Sequence, residues 1–120
     1  MALEDEITKA IGAHGMWKNR LRGAIDSGKA DANPADVAKD NACPFGQWLH
    51  GSTITASMRN GANYNAVKKL HADFHRCASN VMTCVASGKK EQATSLLGGE
   101  FSKISGELTN AMMKWKAAGA

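Results

Sequence analysis

"NYNAVKKLHADFHRCASNVMTCVAS", residues 63–87, decides the fold. Wound at about 100° per residue, Tyr64, Val67, Leu70, His71, Phe74, His75, Ala78, Val81, Met82 and Val85 fill one half of a helical wheel. Lys69, Asp73, Arg76 and Asn80 fill the other half. The spacing predicts one long helix from about Asn63 to Ser87, ended by Gly88. Two histidines, His71 and His75, lie on its apolar side, four residues apart.

Upstream, Leu3, Ile7, Ala10, Ile11, His14, Trp17, Leu21, Ala24 and Ile25 recur at steps of three and four, which predicts a first long helix with His14 near the centre of its stripe. Gly28 suits its stop. Residues 29–62 are broken up. Asn33-Pro34 and Cys43-Pro44 each read as an N-cap followed by proline at the first helical position. They predict a short turn through Val37 and Lys39, and a second short helix, FGQWLHG, closed by Gly51. Ser52 to Gly61 reads as a loop with some helical turn. Downstream, Leu96, Leu97, Phe101, Ile104, Leu108, Met112 and Trp115 stripe a last helical stretch from about Lys89 to Lys116, with a break or kink at Gly98-Gly99. Strand signals are lacking. The fold class expected is all-α: an antiparallel four-helix bundle with short extra helices between the first and second long helices.

The chain has 120 residues, of which 43% are apolar and 22% charged, and this suits one domain over residues 1–120 with a modest core. The formal net charge is +4, but acids and bases are interspersed and aromatics do not alternate with bases, so no nucleic-acid footprint is read. No apolar stretch approaches the roughly 20 residues that span a bilayer, so no membrane contact is expected. The acidic, amphipathic start, MALEDEITKA, does not read as a signal peptide. Three cysteines, an odd number, argue against a disulfide framework, and a reducing cytoplasm is the default expectation.

Residues four apart on a helix stand about 5–6 Å apart at Cβ, so His71 and His75 can reach one metal ion. Taken alone, the pair reads sooner as two hydrogen-bonded core histidines, since the spacing arises by chance. His14 strengthens the metal reading. The two long helices must pack their stripes together, and three neutral imidazoles converging in a dry core leave ring nitrogens to be paired. Cys43 is the candidate fourth donor, because a helix N-terminus favours a thiolate. Cys77 and Cys84 lie well over 100° from the histidine edge and read as small hydrophobes in boundary positions. They are roughly 10 Å apart along one helix, too far for a disulfide with each other. Three nitrogens and one sulfur suit tetrahedral zinc, while ligand type alone leaves copper, nickel and iron open. Four protein ligands close the site, which argues against hydrolysis. Asp36 and Asp40 could orient a ligand imidazole but read as solvated carboxylates. Trp17, Phe45, Trp48, Phe74, Phe101 and Trp115 read as core.

"HGMWKNRL" (14–21), "CPFGQWLHG" (43–51) and "HADFHRCA" (71–78) together resemble the three signatures of the chemoreceptor zinc-binding (CZB) domain, in order and with similar gaps. The resemblance covers roughly residues 5–116. It implies an antiparallel four-helix bundle that binds zinc through His14, Cys43, His71 and His75. It also implies a role in bacterial signal transduction, at the ends of chemoreceptors or attached to diguanylate cyclases. There, zinc occupancy or oxidation of the cysteine alters output, and several members are dimers. His50 departs from the pattern, standing where an aromatic is common; it reads as an exposed helix-end histidine.

The expectation is a regulatory module rather than an enzyme, with Zn²⁺ as cofactor and Cys43 as its redox-sensitive residue. The partners expected are a second copy and a chemoreceptor or cyclase output domain. The alternatives are a metal-independent helical interaction domain and a metalloenzyme, though no histidine has a glutamate three before it, as di-iron bundles require. The apolar content of the two later long helices hints at the dimer.

Overall fold

The computed structural model describes residues 2–30, 33–41, 43–52 and 54–118, the first two by backbone alone. Helices run Ala2–Gly15 (α1), Trp17–Ser27 (α2), Pro34–Val37 (α3), Pro44–Leu49 (α4), Ala56–Arg59 (α5), Ala62–Ala86 (α6), Lys90–Leu96 (α7) and Ser102–Ala118 (α8), with a π-helical turn over Leu97–Phe101. No strand occurs among the described residues, so the all-α expectation holds.

The predicted first helix is two helices that meet at Met16, where the backbone stays right-handed. Ile7, Ala10, His14, Leu21, Ala24 and Ile25 are buried, as the stripe requires, and Ile11 and Trp17 are partly covered. Leu3, the first residue of that stripe, lies outside the side chains described. Gly28 ends α2 with φ 72° and returns its N–H to the Ala24 and Ile25 carbonyls. A residue with a Cβ would be strained there.

The long central helix, α6, matches its prediction within one residue at each end. It packs against α2, α3, α5, α7, the π-turn and α8. Cover on so many sides explains one correction. Cys77 and Cys84 are core residues, 3% and 8% exposed, rather than boundary ones. Cys77 is also more than a small hydrophobe, because its thiol donates to Glu100 Oε1 at 3.2 Å. Burial and that carboxylate push the thiol up to about 12. At the end of α6, Gly88 takes φ 75°. Its N–H bonds the Val85 carbonyl and the Lys89 N–H bonds the Cys84 carbonyl, the paired contacts of a Schellman cap.

The break expected at the double glycine 98–99 takes the form of a π-helical turn between α7 and α8. Both glycines lie inside it and are exposed, with Leu97 and Phe101 buried on either side. The wider turn resets the helix so that Phe101, Leu108, Met112 and Trp115 all face the core. Phe101 stacks on Phe74 at 5.0 Å, and Trp115 lies 5.8 Å from Trp48 and 5.9 Å from Tyr64. Lys116 ties α8 to Thr8 of α1 at 2.8 Å.

The short helices are placed by their caps. Asn33 Oδ1 accepts the Ala35 N–H at 2.9 Å, and Ser79 Oγ donates to the Pro34 carbonyl at 2.7 Å, which fixes α3 on α6. Thr55 caps α5, the helical turn expected between Ser52 and Gly61. At the far end of α4, the Tyr64 hydroxyl donates to the Leu49 carbonyl at 3.0 Å. Arg59 donates to the Gly51 carbonyl at 2.8 Å. The large apolar side chains left most exposed are Met16 and Met113, at 68% and 56%.

Candidate metal centre

His14 comes from the last turn of α1, Cys43 from the N-cap of α4, and His71 and His75 from the middle of α6. Their donor atoms all lie within 4.8 Å of one another. His71 Nε2 is the hub, 3.0 Å from His14 Nε2, 3.2 Å from His75 Nε2 and 3.4 Å from Cys43 Sγ. Donors at zinc-like distances from a tetrahedral centre lie about 3.3–3.6 Å from one another. The three distances from His71 Nε2 are close to that spacing.

The outer nitrogens fix the tautomers. His14 Nδ1 lies 2.7 Å from the Ala10 carbonyl and His75 Nδ1 lies 3.1 Å from the Val37 carbonyl. A carbonyl can only accept, so each Nδ1 carries the proton and each Nε2 presents a lone pair. Two lone pairs thus converge on His71 Nε2, which has at most one proton to offer. His71 Nδ1 is buried with no hydrogen-bond partner. Whichever nitrogen of His71 holds the proton, some buried group stays unsatisfied, at a cost of about 1–3 kcal/mol. A cation bonded to the three Nε2 atoms and Sγ removes the clash of lone pairs, so the residues fit a metal.

The surroundings keep the imidazoles neutral. Burial lowers His14 to about 4, partly opposed by its bond to the Ala10 carbonyl. Burial, then the neighbouring His75 and His14, lower His71 to about 2. Burial also lowers His75, against the pull of the Val37 carbonyl and Asp40. At neutral pH all three are therefore ligands rather than cations.

Cys43 corrects one expectation. As foreseen it caps α4, and Gly46 N–H donates to its Sγ at 3.3 Å. Yet burial outweighs the helix N-terminus and pushes the thiol up, with Asp40 adding to the rise. The fold does not supply a thiolate by itself. A metal charge must do so.

Asp40 is also closer to the chemistry than a solvated carboxylate. Its Oδ2 lies 3.4 Å from His50 Nε2, and its charge is felt by both His75 and Cys43. Asp36 keeps the solvated reading, paired with Lys39 at 3.3 Å. His50 caps the C-terminus of α4 outside the donor cluster, as an exposed helix-end residue. The loop before α4 folds so tightly that a Cβ on Gly46 would overlap the Asp40 carbonyl. This glycine is the residue that sequence reasoning missed, and its place three after an N-cap cysteine was the available signal.

Aromatic rings enclose the donors. Phe45 lies 5.2 Å from His71, Phe74 lies 5.0 Å from His14, and Trp17 lies 6.2 Å from His75. Phe45, Phe74, Phe101 and Trp115 are core residues, and Trp48 is partly buried beside them. Trp17 is not plain core. It lines a cleft, with the Arg20 guanidinium 4.2 Å over its ring.

No described helix is long and apolar enough to cross a membrane. No curated protein and no solved structure matches the chain. The family model of the chemoreceptor zinc-binding domain matches residues 14–82, a segment that begins at His14 and contains Cys43, His71 and His75. The chain belongs to the chemoreceptor zinc-binding domain family.

Proposed function

We propose that this chain is a zinc-responsive regulatory domain of bacterial signal transduction, holding one Zn²⁺ through His14, Cys43, His71 and His75. The observation that carries the reading is the pair of lone pairs, locked by Ala10 and Val37, aimed at a third imidazole beside a thiol. Membership of a zinc-binding signalling family supports it. Four protein donors leave no place for a reacting water, so the reading is sensory and not enzymatic.

The signal would be zinc occupancy, or oxidation of Cys43 with loss of the metal. Zinc would tie α1, the start of α4 and α6 together, and its binding energy would become ordering energy. Phe45 touches His14 and His71 on one side and Trp48 on the other, and Trp48 touches Trp115. A change at Cys43 thus has a packed route to the last helix. The helices would pack as an antiparallel four-helix bundle in a single domain, with α1–α2, α6 and α7–α8 as its long members. In the cell the domain would work in the cytoplasm as a homodimer, coupled to a chemoreceptor or cyclase output domain.

Metal analysis tests the centre. The expected result is one zinc per chain in the wild type and markedly less in Cys43→Ala. A wild type that is purified without zinc and cannot take it up would refute the reading. For the signal, zinc removal or mild oxidant should change tryptophan fluorescence and amide exchange of residues 43–51. No change in either would sink that part.

A further inference from the structure

Asp40 and His50 lie outside the four-donor cluster, yet both are zinc-ligand types, and one glycine holds them beside it. Gly46 gives its N–H to Cys43 Sγ at 3.3 Å and accepts the His50 N–H on its carbonyl at 3.0 Å. Its bare Cα faces the Asp40 carbonyl, where no Cβ would fit. The turn that carries Cys43 therefore also sets Asp40 and His50. Their charges reach the cluster: Asp40 is felt at Cys43 and His75, and His50 at His71.

The spacing of the pair is informative. Asp40 Oδ2 lies 3.4 Å from His50 Nε2. A charge-assisted N–H···O bond closes to about 2.7–2.9 Å. A carboxylate oxygen and an imidazole nitrogen sharing one tetrahedral zinc stand about 3.3–3.6 Å apart. The pair has the second spacing. It is also open to water, with the Asp40 and His50 side chains 29% and 32% exposed. Cys43 is half-buried, and His14, His71 and His75 are at most 6% exposed. An ion coming from solvent can meet the pair before it meets any of the three buried imidazoles.

We propose that Asp40 and His50 form an outer zinc site, which holds the ion by one carboxylate oxygen, one imidazole nitrogen and water on its way to and from Cys43. The proposal rests on the zinc reading above. Asp40 Oδ2 and His50 Nε2 each give a lone pair to a hydrated ion and displace one water apiece. Any proton on Nε2 passes to solvent. Cys43 Sγ then sheds its proton to water and gives a lone pair in turn. The outer pair lets go as His14, His71 and His75 close the centre. Release runs the same steps backwards, and no electron is transferred.

The test compares the wild type with His50→Phe, which keeps a ring and removes the donor, and with Asp40→Asn. Zinc content is measured first, and a wild type that binds none ends both readings at once. Uptake is followed through the ultraviolet absorption of the metal–thiolate bond. Release is read with a chromophoric chelator, extrapolated to zero chelator, and affinity by competition. In His50→Phe, uptake and release should both slow about tenfold, the low end of the gain from concentrating an ion at an entrance. Affinity should stay unchanged, because a site that is only passed through sets both rates and not the equilibrium; this also reports an intact centre. Asp40→Asn should slow uptake at least as much. Zinc bound as in the wild type with both rates unchanged in His50→Phe would overturn the outer site and leave the four-donor centre standing. Slowing in Asp40→Asn alone would mean attraction at a distance without ligation, and overturns it likewise. So would slower uptake with a matching fall in affinity in His50→Phe, the mark of a residue that supports the centre.

Discussion

Gly46→Ala isolates the packing that sets Cys43. In an open helix the change stabilises by about 1 kcal/mol, because glycine is the poorer helix former. Gly23, exposed in α2 with nothing within 4 Å of its would-be Cβ, is the internal standard for that gain. At Gly46 the same methyl overlaps the Asp40 carbonyl and presses on the Asn41 backbone. No side chain can rotate away, so the Asp40–Asn41 backbone or the start of α4 must move. Overpacking of this kind costs typically about 1–3 kcal/mol. The same movement displaces the Gly46 N–H from Cys43 Sγ and stretches the Asp40–His50 pair. Gly23→Ala should therefore raise the melting temperature of metal-free protein by a few degrees, and Gly46→Ala should lower it by about as much or more. The gap between the two variants should be about 2–4 kcal/mol by denaturant titration. Zinc affinity, measured by competition with a chromophoric chelator, should fall about tenfold or more in Gly46→Ala alone, as the fourth donor moves off its place. Equal melting temperatures and equal affinities in the two variants would refute the account of why glycine stands there.

Acid should weaken the metal-free fold in a defined window. The folded histidines are lowered, His14 to about 4 and His71 to about 2, so the unfolded chain binds protons first. Stability should be level above about pH 6.5 and decline as pH falls towards 4, by about 2 kcal/mol at pH 5 for each of His14 and His71; a flat profile from pH 7 to 5 would contradict the neutral assignment. His71→Leu removes the hub and its unpartnered Nδ1. The change also leaves the buried His14 and His75 Nε2 lone pairs without a donor, so metal-free protein should lose about 1–3 kcal/mol in urea titration while zinc binding collapses. Unchanged stability in the metal-free variant would mean that His71 satisfies neither lone pair.

What could be read from sequence was what periodicity and caps encode. The stripe of residues 63–87 gave α6 and set both its histidines inward, because helical phase alone decides that. Cys43-Pro44 gave the cap of α4. Burial depth, by contrast, depends on how many elements cover a residue, and this is why Cys77 and Cys84 were misplaced and the shift of the Cys43 thiol was taken in the wrong direction. Contacts between elements were equally hidden: Asp40 to His50 and Cys77 to Glu100. The π-turn escaped because two glycines announce a departure from the α-helix but not its kind.

Tyr64 and Arg59 hold the far end of α4 through the Leu49 and Gly51 carbonyls, and neither bond involves a metal donor. The cysteine helix thus has one permanent support and one conditional support. Freed at Cys43, it is a short boom on a fixed pivot, with a reach of about 9 Å for its six residues. The longest excursion belongs to the tip that carries Cys43, and the shortest to the end beside Tyr64. On the proposed zinc reading, such a pivot would turn a bond at one atom into a rotation that a neighbouring surface could feel, and would let the tip swing back when the ion returned.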